Sequence, residues 1–153
     1  MSSNQEALAD IEAIKSLKAR YFRLLDQKRW DKWRDVFTPE VSISTPDDTG
    51  DATPIVGRDV FVDGLKAILE AVPTAHQGHM PEITVDGDTA SGVWAMEDHL
   101  FWPPESGLGH MWGLGWYEET YERCDDGAWR IATMHLRRIR SEAAGNQIFP
   151  RNS

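Results

Sequence analysis

Two kinds of segment follow one another along this chain of 153 residues. The first half carries apolar residues at helical spacing, whereas the second half alternates apolar and polar residues over long stretches. The turn-like sequences "DGD", "PPESG" and "DDG" divide that second half into four predicted strands, at about 76–85, 89–102, 109–123 and 128–140. Helices followed by long hairpin-connected strands predict an α+β fold, in which the helices cover the concave side of a curved sheet.

Three helices are predicted ahead of these strands. A long amphipathic helix extends from Ala7 to about Gln27, and "RWDKWRDVF" forms a second, short helix. Pro39 is expected to end this second helix before the strand-like "EVSIST". The segment "PDDTGDATPIVG" has the composition of a loop, and a third helix is predicted from Arg58 to about Val72.

The length and the hydrophobic content of 41% suit one domain over residues 1–153, with a core at about 7–140 and a C-terminal tail at 141–153. A sheet curved around helices often leaves a cavity at its open end. Such a cavity is the default site for a small-molecule ligand.

The charge of the chain excludes some partners. Its net charge of -9 disfavours binding to nucleic acid and to anionic membrane surfaces. The basic stretch "HLRRIR" suits the solvent face of a terminal strand as well as it suits a binding patch. The single Cys124 allows no intrachain disulfide, and no segment has the apolar length of a membrane span, so we expect a soluble cytoplasmic protein.

His76 stands at the start of the first long strand, where a neutral imidazole could face the cavity and accept a proton. A carboxylate would orient this ring, and Asp26 is the candidate, since the helix dipole disfavours an acid near a helix C-terminus. Tyr21 lies about 140° around the helix from Asp26, so the two need not touch. His79 has the opposite parity to His76 and could face the cavity only through a bulge or twist at Gly78; a structural role is predicted for it.

The second long strand places Trp94, Met96 and Asp98 on one face. Either face could be internal. If this face is internal, Asp98 is a carboxylate on an apolar wall, which is costly unless it has a partner or a task. The alternative is that the strand has left the core by Asp98.

The third long strand alternates large side chains with glycines. Aromatic residues separated by glycines suit packing against a flat apolar body, which could be a ligand, a neighbouring subunit or the protein's own core. The two alternating sets are His110, Trp112, Leu114 and Trp116 on one face and Met111, Gly113, Gly115 and Tyr117 on the other.

No metal or cofactor site is predicted. The spacing of His76 and His79 is not accompanied by a helical HExxH motif, a cysteine cluster or grouped carboxylates. Neither a GxSxG motif nor a glycine-rich phosphate loop occurs.

Three stretches carry a resemblance to a known family: "IKSLKARYFRLLDQKRWDKWRDVFTPEV", "HQGHMPEITVDGDTASGVWAMED" and "YEETYERCDDGAWRIATMHLRR". From about Ile11 to Arg140 the chain resembles the SnoaL-like branch of the nuclear transport factor 2-like (NTF2-like) superfamily. The resemblance implies a cone-shaped α+β barrel, with helices packed on a mixed, mainly antiparallel sheet around a deep pocket.

Within this branch the pattern is similar to bile acid 7α-dehydratases and hexachlorocyclohexane dehydrochlorinase, and more distantly to scytalone dehydratase, all cofactor-free eliminating enzymes. The resemblance implies that His76 is the base and that Asp26 orients it. It also implies further catalytic residues, Tyr21, Asp98 and Arg138, with His135 and Arg137 as alternatives to Arg138. We expect substrate contacts from Trp94, Met96, Met111, Tyr117 and His135.

The function predicted from these features is a cofactor-independent lyase that acts on a hydrophobic, polycyclic or steroid-like substrate. The alternatives are an isomerase or polyketide cyclase of the same fold, and a non-catalytic small-molecule-binding module. A homo-oligomer is also expected, because the strand faces are rich in aromatic residues; the dehydratase resemblance favours a trimer, with a dimer as the alternative.

Overall fold

The structure is a computed structural model that describes residues 3–150. Residues 1–2 and 151–153, and with them the last part of the predicted tail, lie outside this description. Within residues 3–150 there are four α-helices, α1 (Ser3–Asp26), α2 (Trp30–Arg34), α3 (Pro46–Thr49) and α4 (Arg58–Leu69), and one 3-10 turn at Pro104–Ser106. The strands are β1 (Phe37–Ser44), β2 (Ile55–Val56), β3 (Thr74–Asp86), β4 (Thr89–Phe101), β5 (His110–Arg123), β6 (Trp129–Ala143) and β7 (Asn146–Phe149).

All seven strands belong to one sheet with the order β2-β1-β6-β5-β4-β3, and β7 pairs with β6 beyond the end of β1. The β1–β6 pair is parallel and the other pairs are antiparallel. The predicted α+β architecture with a mixed, mainly antiparallel sheet is therefore confirmed. The sheet is curved but open, so the barrel is incomplete.

Helix α1 lies in the concavity of the sheet, where it packs against β3 and β6. Its buried side chains recur every three or four residues, as the sequence predicts for one face of a helix. Lys18 also lies on this buried face, although its charge would place it in solvent. Among residues 3–150, no helix combines the length and the apolarity needed to cross a membrane.

Pro39 does not end a helix; it lies inside β1, because α2 already ends at Arg34. The register between β1 and β6 shifts between Phe37 and Ser42. Proline is tolerated at such an irregular position, since its missing N–H interrupts no regular ladder. The segment predicted as a loop also contains α3 and the short β2, and β6 continues into the segment predicted as a tail.

One edge of β6 is covered by three different elements. Strand β1 pairs with it as far as His135, and β7 pairs with it from Ser141 onward. Helix α3 fills the gap between them, where a carboxylate oxygen of Asp47 accepts the backbone N–H of Arg138 at 2.8 Å. This arrangement brings α3 and β7 to the same end of the sheet.

The strands show which faces are internal. Trp94, Met96 and Asp98 of β4 are all buried, so this face of β4 is the internal one. On β6, the alternation directs Arg138 to the same side as the buried Met134 and Leu136. His135 and Arg137 therefore lie on the opposite face of that strand.

Candidate active site

A cavity of about 520 Å³ lies between α1, α4 and the inward face of the sheet. Its wall is mainly apolar, and Ile148 and Phe149 of β7 border it at one end. The polar side chains that interrupt this wall include Tyr21, His76, Asp98, Tyr117, Arg138 and Ser141, together with those of Thr45, Asp47, Asp48 and Thr49 at the α3 end. An apolar cavity with few converging polar groups is typical of a small-molecule site.

His76 is held at the cavity wall by the carboxylate of Asp26. Its ring Nδ1 lies 2.7 Å from Asp26 Oδ1, and its backbone N–H donates to Asp26 Oδ2 at 2.9 Å. The His76 side chain is largely buried, with 8% exposed. When Asp26 is ionised, Nδ1 carries the proton, and the unprotonated Nε2 is then the atom that can accept a proton from a ligand.

The chain folds so that donors surround Asp26 at the C-terminal end of α1. Thr74 and His76 share one parity on β3, and the Thr74 hydroxyl also donates to Asp26, at 2.9 Å. Lys28 donates in turn to the Thr74 hydroxyl at 2.9 Å. These donors offset the unfavourable helix dipole at this end of α1.

Tyr21 and Tyr117 lie side by side on the cavity wall, with ring centroids 6.1 Å apart. Burial raises the pKa of Tyr21, and the charge of Glu119 raises it further, whereas a hydrogen bond with Tyr117 acts in the opposite direction. Burial likewise raises the pKa of Tyr117. Both phenols therefore remain protonated near neutral pH and can act as hydrogen-bond donors.

Behind these two rings lies a buried ion pair between Lys18 and Glu119. The Lys18 Nζ stands 3.8 Å from the Tyr21 ring centroid and 3.7 Å from that of Tyr117. Burial lowers the pKa of Lys18, while Glu119 opposes that effect. The second carboxylate oxygen of Glu119 accepts a hydrogen bond from Tyr121 at 2.6 Å. This network fixes the tyrosine rings from behind.

Arg138 forms the charged centre at another part of the wall. Its Nη1 and Nη2 donate to the two oxygens of Asp98 at 2.7 and 2.9 Å. Its Nε and Nη2 donate to Asp48 at 3.0 and 3.2 Å. Burial by itself lowers the pKa of Arg138, but the hydrogen bonds and charges of Asp98 and Asp48 outweigh it, and the pKa is raised.

The residues predicted to contact the substrate separate into two groups. Met111 and Tyr117 line the cavity. Trp94 lies in the core instead, where its Nε1 donates to Tyr121 at 2.9 Å. Met96 lies beneath Arg138, with its sulfur 3.8 Å from Nη1. His135 lies on the opposite face of β6, and its Nε2 is buried without a hydrogen-bond partner within residues 3–150.

His79 lies on the outer side of the sheet, where its Nε2 is 3.5 Å from Glu97. The irregularity in β3 lies between His79 and Glu82, rather than at Gly78. A side chain at Gly78 would meet the ring of Phe22 at 2.6 Å, so this glycine allows α1 to approach the strand closely. Over the described part of the chain, no group of three or more His, Cys, Asp or Glu side chains is arranged to hold a metal ion.

The lining residues that sequence reasoning missed include Asp48 on α3, Trp102 after β4, Ser141 on β6, and the apolar pair Ile148 and Phe149 on β7. The hydroxyl of Ser141 and the Nε1 of Trp102 are buried without a hydrogen-bond partner within residues 3–150. The start of α3 has a signal in the sequence, since proline favours the first turn of a helix. The segment "PDDT" is only four residues long, however, and its neighbours have the composition of a loop.

The fold and the site together define a class of protein: an open α+β barrel with an apolar cavity, at whose wall a largely buried histidine is held by an aspartate. The model of the SnoaL-like domain family matches residues 6–135. The chain belongs to this SnoaL-like domain family.

Solved structures with the same fold include a protein of unknown function from Mycobacterium tuberculosis. It is 28% identical, with a TM-score of 0.77, and the match covers 92% of this chain and 78% of that one. An NTF2-like protein with a cystatin-like fold from Novosphingobium aromaticivorans is 24% identical, with a TM-score of 0.66 and coverages of 86% and 83%.

A third similar structure, also from Novosphingobium aromaticivorans, is named as a candidate scytalone dehydratase. It is 20% identical, with a TM-score of 0.76, over 95% of this chain and 97% of that one. At this identity the likeness shows the fold. The chain thus shares the NTF2-like fold with these proteins.

Proposed function

We propose that the protein is a cofactor-independent lyase that eliminates water from a hydrophobic, polycyclic or steroid-like substrate. The observation that carries the proposal is the contact of His76 with Asp26 at the wall of an apolar cavity. A buried histidine held by a carboxylate is suited to proton abstraction, because the carboxylate stabilises the imidazolium that forms. The scytalone dehydratase name of one fold neighbour agrees with this chemistry.

In the proposed reaction, Nε2 of His76 removes a proton from a carbon next to an electron-withdrawing group. The electron pair of that C–H bond forms a C=C bond, and the adjacent C–O bond breaks. The departing hydroxyl takes up the proton now held by Nε2 of His76 and leaves as water, which regenerates the neutral base. Tyr21, which shares a hydrogen bond with Tyr117, would donate its own O–H to the oxygen on which negative charge develops.

A general base alone contributes about 10²- to 10⁴-fold in rate, so the cavity must also orient the substrate and exclude water. The apolar wall provides that environment, since electrostatic interactions are stronger where water is excluded. An isomerase would use the same base without losing a group, and a binding module would use the same cavity without chemistry.

A mass-spectrometric screen tests the proposal. Wild type, His76→Ala and His79→Ala would be incubated with hydroxylated steroids and polyketide-like compounds. The matched control is His79→Ala, which removes a histidine from the outer side of the same strand. We expect loss of one water from a substrate with wild type and His79→Ala, and none with His76→Ala. A product of unchanged mass would indicate isomerisation, and bound but unchanged ligand with all three proteins would indicate a binding module.

A further inference from the structure

The guanidinium of Arg138 has no free place for an anionic ligand. An arginine side chain offers five N–H donors. In this protein those donors face Asp98 at 2.7 and 2.9 Å, Asp48 at 3.0 and 3.2 Å, and the sulfur of Met96 at 3.8 Å. A substrate carboxylate could therefore reach Arg138 only by displacing one of these carboxylates.

The charges around this end of the cavity also disfavour an anion. Asp47, Asp48 and Asp98 lie together at Arg138, which supplies a single positive charge. An anionic group brought to this place would leave water and meet a net negative field, and both effects cost free energy. Both the desolvation cost and the electrostatic repulsion are smaller for an uncharged polar group.

The two carboxylates on Arg138 differ in how firmly they are held. Asp98 is 5% exposed and belongs to β4, which is paired on both sides, whereas Asp48 is 40% exposed and belongs to the four-residue helix α3. Two aspartates tie α3 to β6, and both bind Arg138: Asp47 binds its backbone N–H, and Asp48 binds its side chain. Of the two carboxylates on Arg138, Asp48 is therefore the one that a ligand carboxylate would displace more readily.

We propose that Asp48 determines the specificity of the cavity by occupying the position on Arg138 that a substrate carboxylate would take. The substrate then carries an uncharged group at this end. The unpartnered hydroxyl of Ser141 and the indole N–H of Trp102 suit a neutral hydroxyl or carbonyl group there. The inference rests on the proposed function only in assuming that the substrate binds in this cavity. It does not require that the protein catalyses elimination.

Two matched probes test this assignment: a hydroxylated steroid with a side-chain carboxylate, and the primary amide of the same compound. Their dissociation constants would be measured by calorimetry with wild type, Asp48→Asn and Asp125→Asn. The last variant removes the same charge from an exposed turn between β5 and β6, away from the cavity. Circular dichroism verifies that each variant is folded.

We expect wild type to bind the amide at least about tenfold more tightly than the carboxylate, which corresponds to ~1.4 kcal/mol. In Asp48→Asn the carboxylate affinity should rise by about tenfold or more, with the amide affinity changed by less than about threefold. Asp125→Asn should leave the wild-type ratio unchanged. Three results would each overturn the inference. They are equal affinities of wild type for the carboxylate and the amide, an amide-to-carboxylate ratio in Asp48→Asn equal to that of wild type, and a failure of both probes to bind.

Asp48→Ser provides a second variant should Asp48→Asn not fold, because it removes the carboxylate with a smaller side chain. The binding ratio needs no turnover, so this test is separate from that of the lyase. If the amide-to-carboxylate affinity ratio behaves as expected but wild type forms no product, the specificity role of Asp48 is retained and elimination is rejected. If wild type forms the dehydrated product but the ratio is the same in Asp48→Asn as in wild type, elimination is retained and the role of Asp48 is rejected.

Discussion

The carboxylate of Asp26 contacts His76 at two points, the ring nitrogen Nδ1 at 2.7 Å and the backbone N–H at 2.9 Å. One helix-end residue thus fixes both the start of β3 and the orientation of the imidazole. A rotation of the His76 ring away from this position would remove one of the two hydrogen bonds to Asp26 Oδ1, which also accepts from the Thr74 hydroxyl at 2.9 Å.

Replacing Asp26 by asparagine should uncouple these two contacts. An amide cannot accept a hydrogen bond at both of its ends, so its NH₂ group would face a donor, and the tautomer of His76 would change. We expect kcat to fall by about 10²- to 10⁴-fold, with KM changed only a few-fold. Steady-state kinetics on the substrate found in the screen would measure this, and a kcat within about threefold of wild type would contradict it.

Gly113 leaves the space that the Arg138–Asp98 pair occupies. A Cβ at this position would lie 2.4 Å from Arg138 Nη1 and 2.9 Å from Asp98 Oδ1. Gly113→Ala should therefore lower the free energy of unfolding by about 2 kcal/mol or more, because a buried ion pair is displaced. Urea denaturation would measure the loss.

The control for that experiment is Gly64→Ala. Gly64 lies on the exposed face of α4, and a Cβ there would have no neighbour within 4 Å. Alanine is the better helix former, so this variant should be as stable as wild type or up to about 1 kcal/mol more stable. Equal losses for the two glycine variants would show that contact with the ion pair is not the cause.

The buried pair of Lys18 and Glu119 predicts a non-additive effect of mutation. Lys18→Met alone leaves the carboxylate of Glu119 buried without its cation, and we expect a loss of about 3–5 kcal/mol in unfolding free energy. The double variant Lys18→Met/Glu119→Gln removes both charges and should be clearly more stable than the single variant. Urea denaturation of wild type, Lys18→Met, Glu119→Gln and the double variant would measure the coupling energy between the two residues. Losses in unfolding free energy that simply add would rule out this coupling.

Asp10 should contribute to stability in a pH-dependent way. It accepts hydrogen bonds from Arg123 at 2.7 Å and from Trp129 at 3.1 Å, and the bond from Arg123 is the main cause of its lowered pKa. Ionised Asp10 therefore stabilises the fold above about pH 4, and this stabilisation is lost as the pH falls through the lowered pKa.

The test is the unfolding free energy of wild type and Asp10→Asn as a function of pH. The variant should be about 1 kcal/mol less stable at neutral pH, with the difference shrinking below about pH 4. A difference that stays constant down to the acid transition would contradict the assignment.

The outer face of the sheet should be buried in an oligomer, and we expect a trimer. Phe101 is 47% exposed there and stacks on His110 at 4.8 Å, which in turn stacks on His99 at 5.1 Å. Light scattering at micromolar concentration should give three times the 17.3 kDa of one chain, and Phe101→Glu should lower that mass. A monomeric mass for wild type would refute this.

The sequence could predict the helices and strands, because helical spacing and strand parity are local properties. It could also nominate Asp26 and His76, from their places at a helix end and a strand start and from the family resemblance. It could not separate the cavity from the core. Strand parity puts Trp94 and Met96 on one face but leaves open whether that face is internal, and depth along the face decides whether a side chain meets ligand or α1. That depth depends on where the helices end on the sheet.

Charged residues in unusual places were also beyond sequence reasoning. Lysine is a residue type expected at a solvent-facing helix position. The burial of Lys18 depends on Glu119, which lies 101 residues further along the chain. Asp48 lies in a loop-like segment, and its contact with Arg138 depends on the gap in pairing along β6. Such long-range contacts leave no periodic pattern in one sequence.

The gap along β6 has an evolutionary consequence. Two short elements, α3 and β7, border the cavity, while the register of the long strands is set by their own pairing. Insertions or exchanges between Ser44 and Ile55 could therefore alter which molecules enter without changing the contact between Asp26 and His76. A gene lineage could diversify its ligands through this segment while keeping that pair.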